Sequence, residues 1–163
     1  MIGEKKLIPS RINKDEYGIL LAHIVSLRST CRRRRAGCVV IDRNKHIKGT
    51  GYNGVSKNRV HCLDVPCSGA EASSGNNLDE CMAVHAEENA LLQMESKSSG
   101  PFTIYCTCSP CLHCAKLITN FPDIKRMVVS EIYPDPAAIE MIKESGIIFE
   151  VISFDPKEIL KWF

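Results

Sequence analysis

From Thr103 onward the chain alternates short apolar runs with amphipathic stretches, and this alternation restricts the fold more than any other feature. "TIYCTC", "RMVVS" and "IIFEVIS" read as strands. Between and after them, the stretch from Cys111 to just before Pro122, then "DPAAIEMIKESG" and "PKEILKW", read as helices. In "DPAAIEMIKESG" the Asp suits an N-cap, the Pro the first helical position and the Gly a stop. Strands separated by helices predict a sheet with parallel members and helices on both faces.

The first half changes the character of that sheet. Lys14 to Arg28 carries Tyr17, Leu20, Leu21, Ile24 and Leu27 at helical spacing. "AGCVVID" and "HIKGTGY" are two apolar runs separated by "RNK", which predicts a hairpin and therefore a mixed sheet. Asn53 to Glu80 is a long connection rich in Gly, Ser, Asn and Cys, and connections of that length in compact domains are usually functional. A helix is expected from about Val84 to about Ser96, broken by "GPF". The predicted order is α-β-β-α-β-α-β-α-β-α, and a length of 163 residues suits one domain over 1–163.

Composition excludes several functions. A net charge of +2 supplies no field that would draw the protein onto nucleic acid. No stretch approaches the length of a membrane span, and the opening "MIGEKKLIPS" lacks the apolar core of a secretion signal. The cytoplasm is the expected compartment, where thiols stay reduced. Nine cysteines then point to burial or metal binding rather than disulfides. Cys38 reads as a small hydrophobe in a strand, and Cys106 and Cys108 share one side of another, where burial is expected.

"SPCLHCAKL" and "VHAEENALL" are different. Cys111 and Cys114 stand at i and i+3 at a helix start, and so share a face. A C-x-x-C pair alone fits packing, redox chemistry or half of a metal site. His85 and Glu87 also open a helix, where both can border a site beyond its end. One imidazole and two thiolates make a three-ligand zinc site with an open position, the pattern of catalytic zinc. Glu87 is then a proton carrier rather than a ligand. H-x-E followed by P-C-x-x-C is the signature of zinc nucleobase deaminases.

Most of the chain resembles the deoxycytidylate deaminases. "LRSTCRRRRAGCVVID", "GTGYNG", "LDECMAVHAEENALL", "YCTCSPCLHCAKLI" and "GIIFEVIS" carry the resemblance. The "GYNG" turn and the "HAEENA" form resemble the nucleotide-specific branch, and the long cysteine-bearing insert resembles phage and bacterial forms. The resemblance implies a cytidine-deaminase-like three-layer α/β/α fold with a five-stranded mixed sheet. It implies hydrolysis of dCMP to dUMP and ammonia in a homo-hexamer. Activation by dCTP with Mg2+ and inhibition by dTTP are also implied, with dCTP a further possible substrate. His85, Cys111 and Cys114 match the zinc ligands, and Glu87 the proton shuttle. Arg28 and Ser29 match a pair suited to the nucleotide phosphate. Ser96 stands where certain relatives have a basic residue near that phosphate.

Asn53 matches a sugar-contacting asparagine, although N-G is also a common turn pair. Tyr133 matches a substrate-side tyrosine, or is a surface aromatic beside Pro134. Most of "CRRRR" reads as a solvated face, with one or two arginines able to meet phosphate. Cys31, Cys62, Cys67 and Cys81 suit a second, tetrahedral zinc in the region of loop 53–80, with His61 an alternative ligand; the competing reading is scattered free thiols. Two other functions compete with the nucleotide deaminase. A deaminase of tRNA or single-stranded nucleic acid is disfavoured by the low charge and 6% aromatic content. A zinc-stabilised binding module leaves Glu87 without a role.

Overall fold

The computed structural model describes residues 11–72, 80–94, 100–155 and 157. The elements in chain order are α1 (Lys14–Ser26), β1 (Gly37–Asp42), β2 (Ile47–Tyr52), β3 (Gly54–Val55), β4 (Ala83–Val84), α2 (Ala86–Leu92), β5 (Phe102–Cys108), α3 (Leu112–Asn120), β6 (Ile124–Glu131), α4 (Pro136–Glu144) and β7 (Ile148–Val151). The main sheet has five strands in the order β2-β1-β5-β6-β7. β1 is antiparallel to both β2 and β5, whereas β5, β6 and β7 run parallel. This is the mixed sheet the sequence predicts. β1 lies inside the sheet and is buried throughout, which is why it reads as a continuous apolar run.

One face of the sheet packs α1 through Ile19, Ala22, Val39, Ile41, Tyr105 and Val128. The other packs α2, α3 and α4 through residues that include Ala90, Ile104, Ile118, Met127, Val129 and Ile142. Cys38 and Cys106 are buried in that second core, as expected. Cys108 is only partly buried, because β5 ends there and its side chain borders a cavity.

Asn13 starts α1 with a capping box. Its Oδ1 accepts from the Asp15 and Glu16 amides at 2.9 and 2.8 Å, and Glu16 accepts from the Asn13 amide at 3.1 Å. The helix buries a different face from the predicted apolar stripe. Gly18, Ile19, Ala22 and Ser26 are buried, while Tyr17, Ile24 and Leu27 are exposed. The reason is close approach. A Cβ on Gly18 would fall 2.5 Å from the Tyr105 ring, so the small-residue face is the one that can lie against the sheet.

Two further differences concern ends. Val84 belongs to a short strand, β4, paired antiparallel with β3, so α2 begins two residues later than predicted. Cys111 caps α3 rather than lying inside it. α2 ends at Leu92 with Gln93 as its C-cap, short of the predicted end near 96, and residues 95 and 96 and most of "PKEILKW" lie outside the described residues. Among those that are described, no helix is long and apolar enough to cross a membrane.

A polar clamp joins α1 to the parallel half of the sheet. Arg126 Nη2 donates to Asp15 Oδ2 at 2.9 Å and Tyr105 Oη donates to Asp15 Oδ1 at 2.9 Å, while Arg126 also pairs with Glu150. The Arg126 hydrogen bonds hold the Asp15 carboxyl below its usual range, against the opposing effect of burial. A carboxyl with a lowered folded-state pKa adds stability above its unfolded value, about 3.9, and loses it as pH falls through the folded value. Asp15→Asn should therefore cost roughly 1 kcal/mol at pH 7, a solvent-screened figure, and flatten the loss of stability below pH 4. Urea unfolding at pH 7 and pH 3 checks this.

Candidate active site

Two helix starts meet above the sheet. β2 passes so close beneath α2 that a Cβ on Gly51 would fall 2.1 Å from the Ala86 carbonyl oxygen. This contact seats the first turn of α2 and fixes where His85 and Glu87 emerge. His85 is the N-cap of α2, and Cys111 the N-cap of α3. His85 Nδ1 lies 3.3 Å from Cys114 Sγ and 3.4 Å from Cys111 Sγ. All three donor atoms lie within 4.8 Å of one another, and both cysteines are buried. A tetrahedral zinc with Zn–N near 2.0 and Zn–S near 2.3 Å would separate N and S by about 3.6 Å, so this donor set fits the metal.

Hydrogen bonds couple the three donors. The Cys114 thiol donates to Cys111 and holds it down to about 4, with help from His85. Cys114 itself is pushed up, because its proton is held in that bond. The hydrogen bond to Cys111 raises His85 to about 9. Glu87, 7% exposed, sits beside this group, and burial pushes its carboxyl up.

Supporting carboxylates set the two helix starts. Glu88 Oε2 accepts from the His85 amide at 2.8 Å, while its Oε1 lies 3.1 Å from His113 Nε2 on α3. Glu88 thus ties together the two helix starts that carry the three donors. Asp135 Oδ2 accepts from the Leu112 amide at 2.8 Å and Oδ1 from the Ala138 amide at 3.3 Å, serving the starts of α3 and α4 with one side chain. Ser109 Oγ accepts from the Tyr133 amide at 2.7 Å and anchors the turn before Cys111. Sequence reasoning missed Glu88 and Ser109. The i, i+3 spacing of His85 and Glu88 is the signal for the first, hidden because histidine is an unusual cap.

A cavity opens over this group. Glu87, Cys108, Ala86, Asn53, Tyr133, Arg33 and Arg34 are among its lining residues. Asn53 is held from several directions. Its Oδ1 accepts from the Ala36 amide at 2.8 Å and the Ser29 hydroxyl at 2.6 Å, and its Nδ2 donates to the Arg34 carbonyl at 2.8 Å. Ser29 is buried in that task, Arg28 is exposed, and neither lines the cavity.

Cys31, Cys62, Cys67 and Cys81 form two pairs. Cys62 Sγ lies 3.7 Å from Cys67 Sγ, and Cys31 hydrogen-bonds with Cys81. The Cys81 thiol holds Cys31 down to about 5. The four do not form a single set as tight as the His85 group. His61 is exposed.

Sheet order and donor set together define a three-layer α/β/α protein with a His-Cys-Cys metal site. The chain belongs to the cytidine and deoxycytidylate deaminases: the family model "Cytidine and deoxycytidylate deaminase zinc-binding region" matches residues 12–131. It is 35% identical over 154 residues to the deoxycytidylate deaminase of Saccharomyces cerevisiae, covering 93% of this chain and 49% of that protein. It is 39% identical over 116 residues to that of Mycobacterium phage D29, covering 67% and 88%. The chain spans about half the length of the fungal relatives it matches or less, 49% and 42%. The dCMP deaminase of cyanophage S-TIM5, solved in complex with dCMP and dUMP, superimposes with a TM-score of 0.71 at 26% identity, over 87% of this chain and 100% of that one.

Proposed function

We propose that this chain hydrolyses dCMP to dUMP and ammonia. One observation carries the reading: a buried glutamate, Glu87, lines a cavity that also holds His85 and Cys111 of the three-donor group. His85, Cys111 and Cys114 would hold zinc, which activates water for attack at neutral pH. Glu87 takes one proton from water as it adds to C4 of the cytosine ring and passes it to N3, then takes the proton of the new C4 hydroxyl and passes it to the departing amino group. Water is consumed and ammonia leaves, so atoms balance. Asn53, with one amide hydrogen on Arg34, turns its other toward a sugar hydroxyl. Tyr133 lines the same cavity and would border the substrate.

Cys31, Cys62, Cys67 and Cys81 hold a second, structural zinc. The 3.7 Å between Cys62 and Cys67 supports this, since a tetrahedral Zn–S site has an S···S edge of about 3.8 Å. Family resemblance further supports a cytoplasmic homo-hexamer activated by dCTP with Mg2+ and inhibited by dTTP. Such regulation requires each triphosphate to bind two enzyme states unequally. Saturation with dCMP should be sigmoidal alone, hyperbolic with dCTP and Mg2+, and suppressed by dTTP. Hyperbolic kinetics unmoved by either triphosphate would remove the allosteric part and leave the deaminase.

A substrate screen tests the reading itself. Cytidine, CMP, dCMP, dCTP and an RNA hairpin are offered, and ammonia release is followed. The account expects dCMP to be preferred over the nucleoside and the hairpin, with dCTP the second-best candidate. Preference for the hairpin would overturn it.

A further inference from the structure

A second cavity, of about 320 Å3, lies at the far end of the sheet from Glu87. Ile41 and Asp42 at the end of β1 and Thr103 near the start of β5 line it, whereas the cavity over Glu87 takes Ala36 ahead of β1 and Cys108 at the end of β5. The two share no described lining residue, and from Thr103 to Cys108 an extended strand spans about 17 Å. The volume falls within the range of small-molecule sites, about 300–1,000 Å3.

Three cations line this second cavity: Arg11 ahead of α1, Lys14 in its first turn and Lys45 between β1 and β2. All three are exposed, and among the described residues none of their side chains forms a hydrogen bond or an ion pair. The nearby carboxylates are engaged elsewhere. Asp42, the one acidic residue of the described lining, accepts from the His46 amide at 2.9 Å and lies 3.4 Å from His46 Nδ1 and 3.5 Å from Lys48 Nζ. Asp15, which feels the Lys45 charge, is held by Arg126 and Tyr105. The cavity therefore carries positive charge that the described residues leave uncompensated. It also has an apolar side. Tyr17 lines it at 44% exposure and belongs to neither core, and Ile41 adds a buried aliphatic surface.

We propose that this cavity binds an organic phosphate of mononucleotide size, with Arg11, Lys14 and Lys45 on the phosphate and Tyr17 and Ile41 against the body of the ligand. The planar fork of Arg11 can meet two phosphate oxygens, and each lysine brings a compact ammonium on a flexible stem. An inorganic anion would use the cations alone, whereas the aromatic and aliphatic surfaces favour a ligand that also has a ring. Such a ligand touches α1, the turn after β1 and β5 together, so binding fastens α1 to the sheet and raises the melting temperature. The site goes beyond the deamination reading and uses none of its residues.

The test titrates the zinc-loaded chain calorimetrically with ADP, inorganic phosphate and adenosine at low salt, with dUMP present in excess to fill the cavity over Glu87. ADP should bind, inorganic phosphate more weakly and adenosine not measurably. Lys14→Gln and Lys45→Gln should each weaken ADP about tenfold, and Arg11→Gln by as much or more, as expected for loss of one charge-assisted contact. Arg43→Gln, an exposed neighbour outside the described lining, should leave ADP affinity unchanged. Tyr17→Ala should remove the advantage of ADP over inorganic phosphate. All five side chains are exposed, so these variants keep the fold. No ADP binding at millimolar concentration, or ADP binding that survives the loss of Arg11, Lys14 and Lys45 together, would overturn the site. Inorganic phosphate bound as tightly as ADP by the wild type would overturn the organic ligand. None of these results bears on whether the chain deaminates dCMP.

Discussion

Glu87→Gln should bind zinc normally and lose nearly all turnover. A single general acid–base group contributes roughly 10²–10⁴-fold, and in the proposed reaction Glu87 would serve several proton transfers in one cycle, so the upper part of that range or beyond is expected. Gln preserves the size of the side chain in a site where Glu87 is only 7% exposed, so the fold has little reason to change. Gln also leaves His85, Cys111 and Cys114 untouched, and these are the donors gathered within 4.8 Å. Metal analysis and dCMP turnover on the same preparation separate the two effects. A variant with near-normal rate would remove Glu87 from the chemistry.

Fully metallated protein should carry about two zinc ions per chain, and Cys62→Ser should remove the second while sparing the first. Cys62 is buried and lies 3.7 Å from Cys67, and neither lines the cavity over Glu87. Loss of one thiolate from a structural site frees the segments it joins: the loop carrying Cys31, the insert carrying Cys62 and Cys67, and the approach to β4 carrying Cys81. Structural zinc contributes folding free energy directly, so the melting temperature should fall by many degrees. Turnover per folded, singly metallated chain should fall less than the melting temperature suggests. One zinc per chain in fully loaded wild type would remove the second site.

The candidate site was legible because its signal is local. His85 and Glu87 stand two apart at one helix start, Cys111 and Cys114 three apart at another, and a sheet with parallel members aligns such starts. The double cap made by Asp135 was half legible: its place before Pro136 predicts the cap of α4, but nothing in the sequence says that the same carboxylate reaches Leu112. The buried face of α1 was not legible. A stripe of large apolar residues was the visible pattern, yet close approach at Gly18 favours the small-residue face, and that depends on where Tyr105 lies. The strand pair β3 and β4 was also invisible, since two residues on each side carry no periodicity. Within "CRRRR", residue type is the same at four successive positions, so only the path of the loop distinguishes Arg33 and Arg34 from their neighbours.

The central claim is that the His85, Cys111 and Cys114 group together with Glu87 forms a hydrolytic deamination centre. Its most direct test is to incubate the zinc-loaded chain with dCMP in water enriched in oxygen-18 and to measure product mass and ammonia together. The account predicts dUMP carrying one solvent-derived oxygen at C4, formed in equal amount with ammonia, and neither product from Glu87→Gln. Absence of dUMP, or dUMP formed without solvent oxygen, would contradict it.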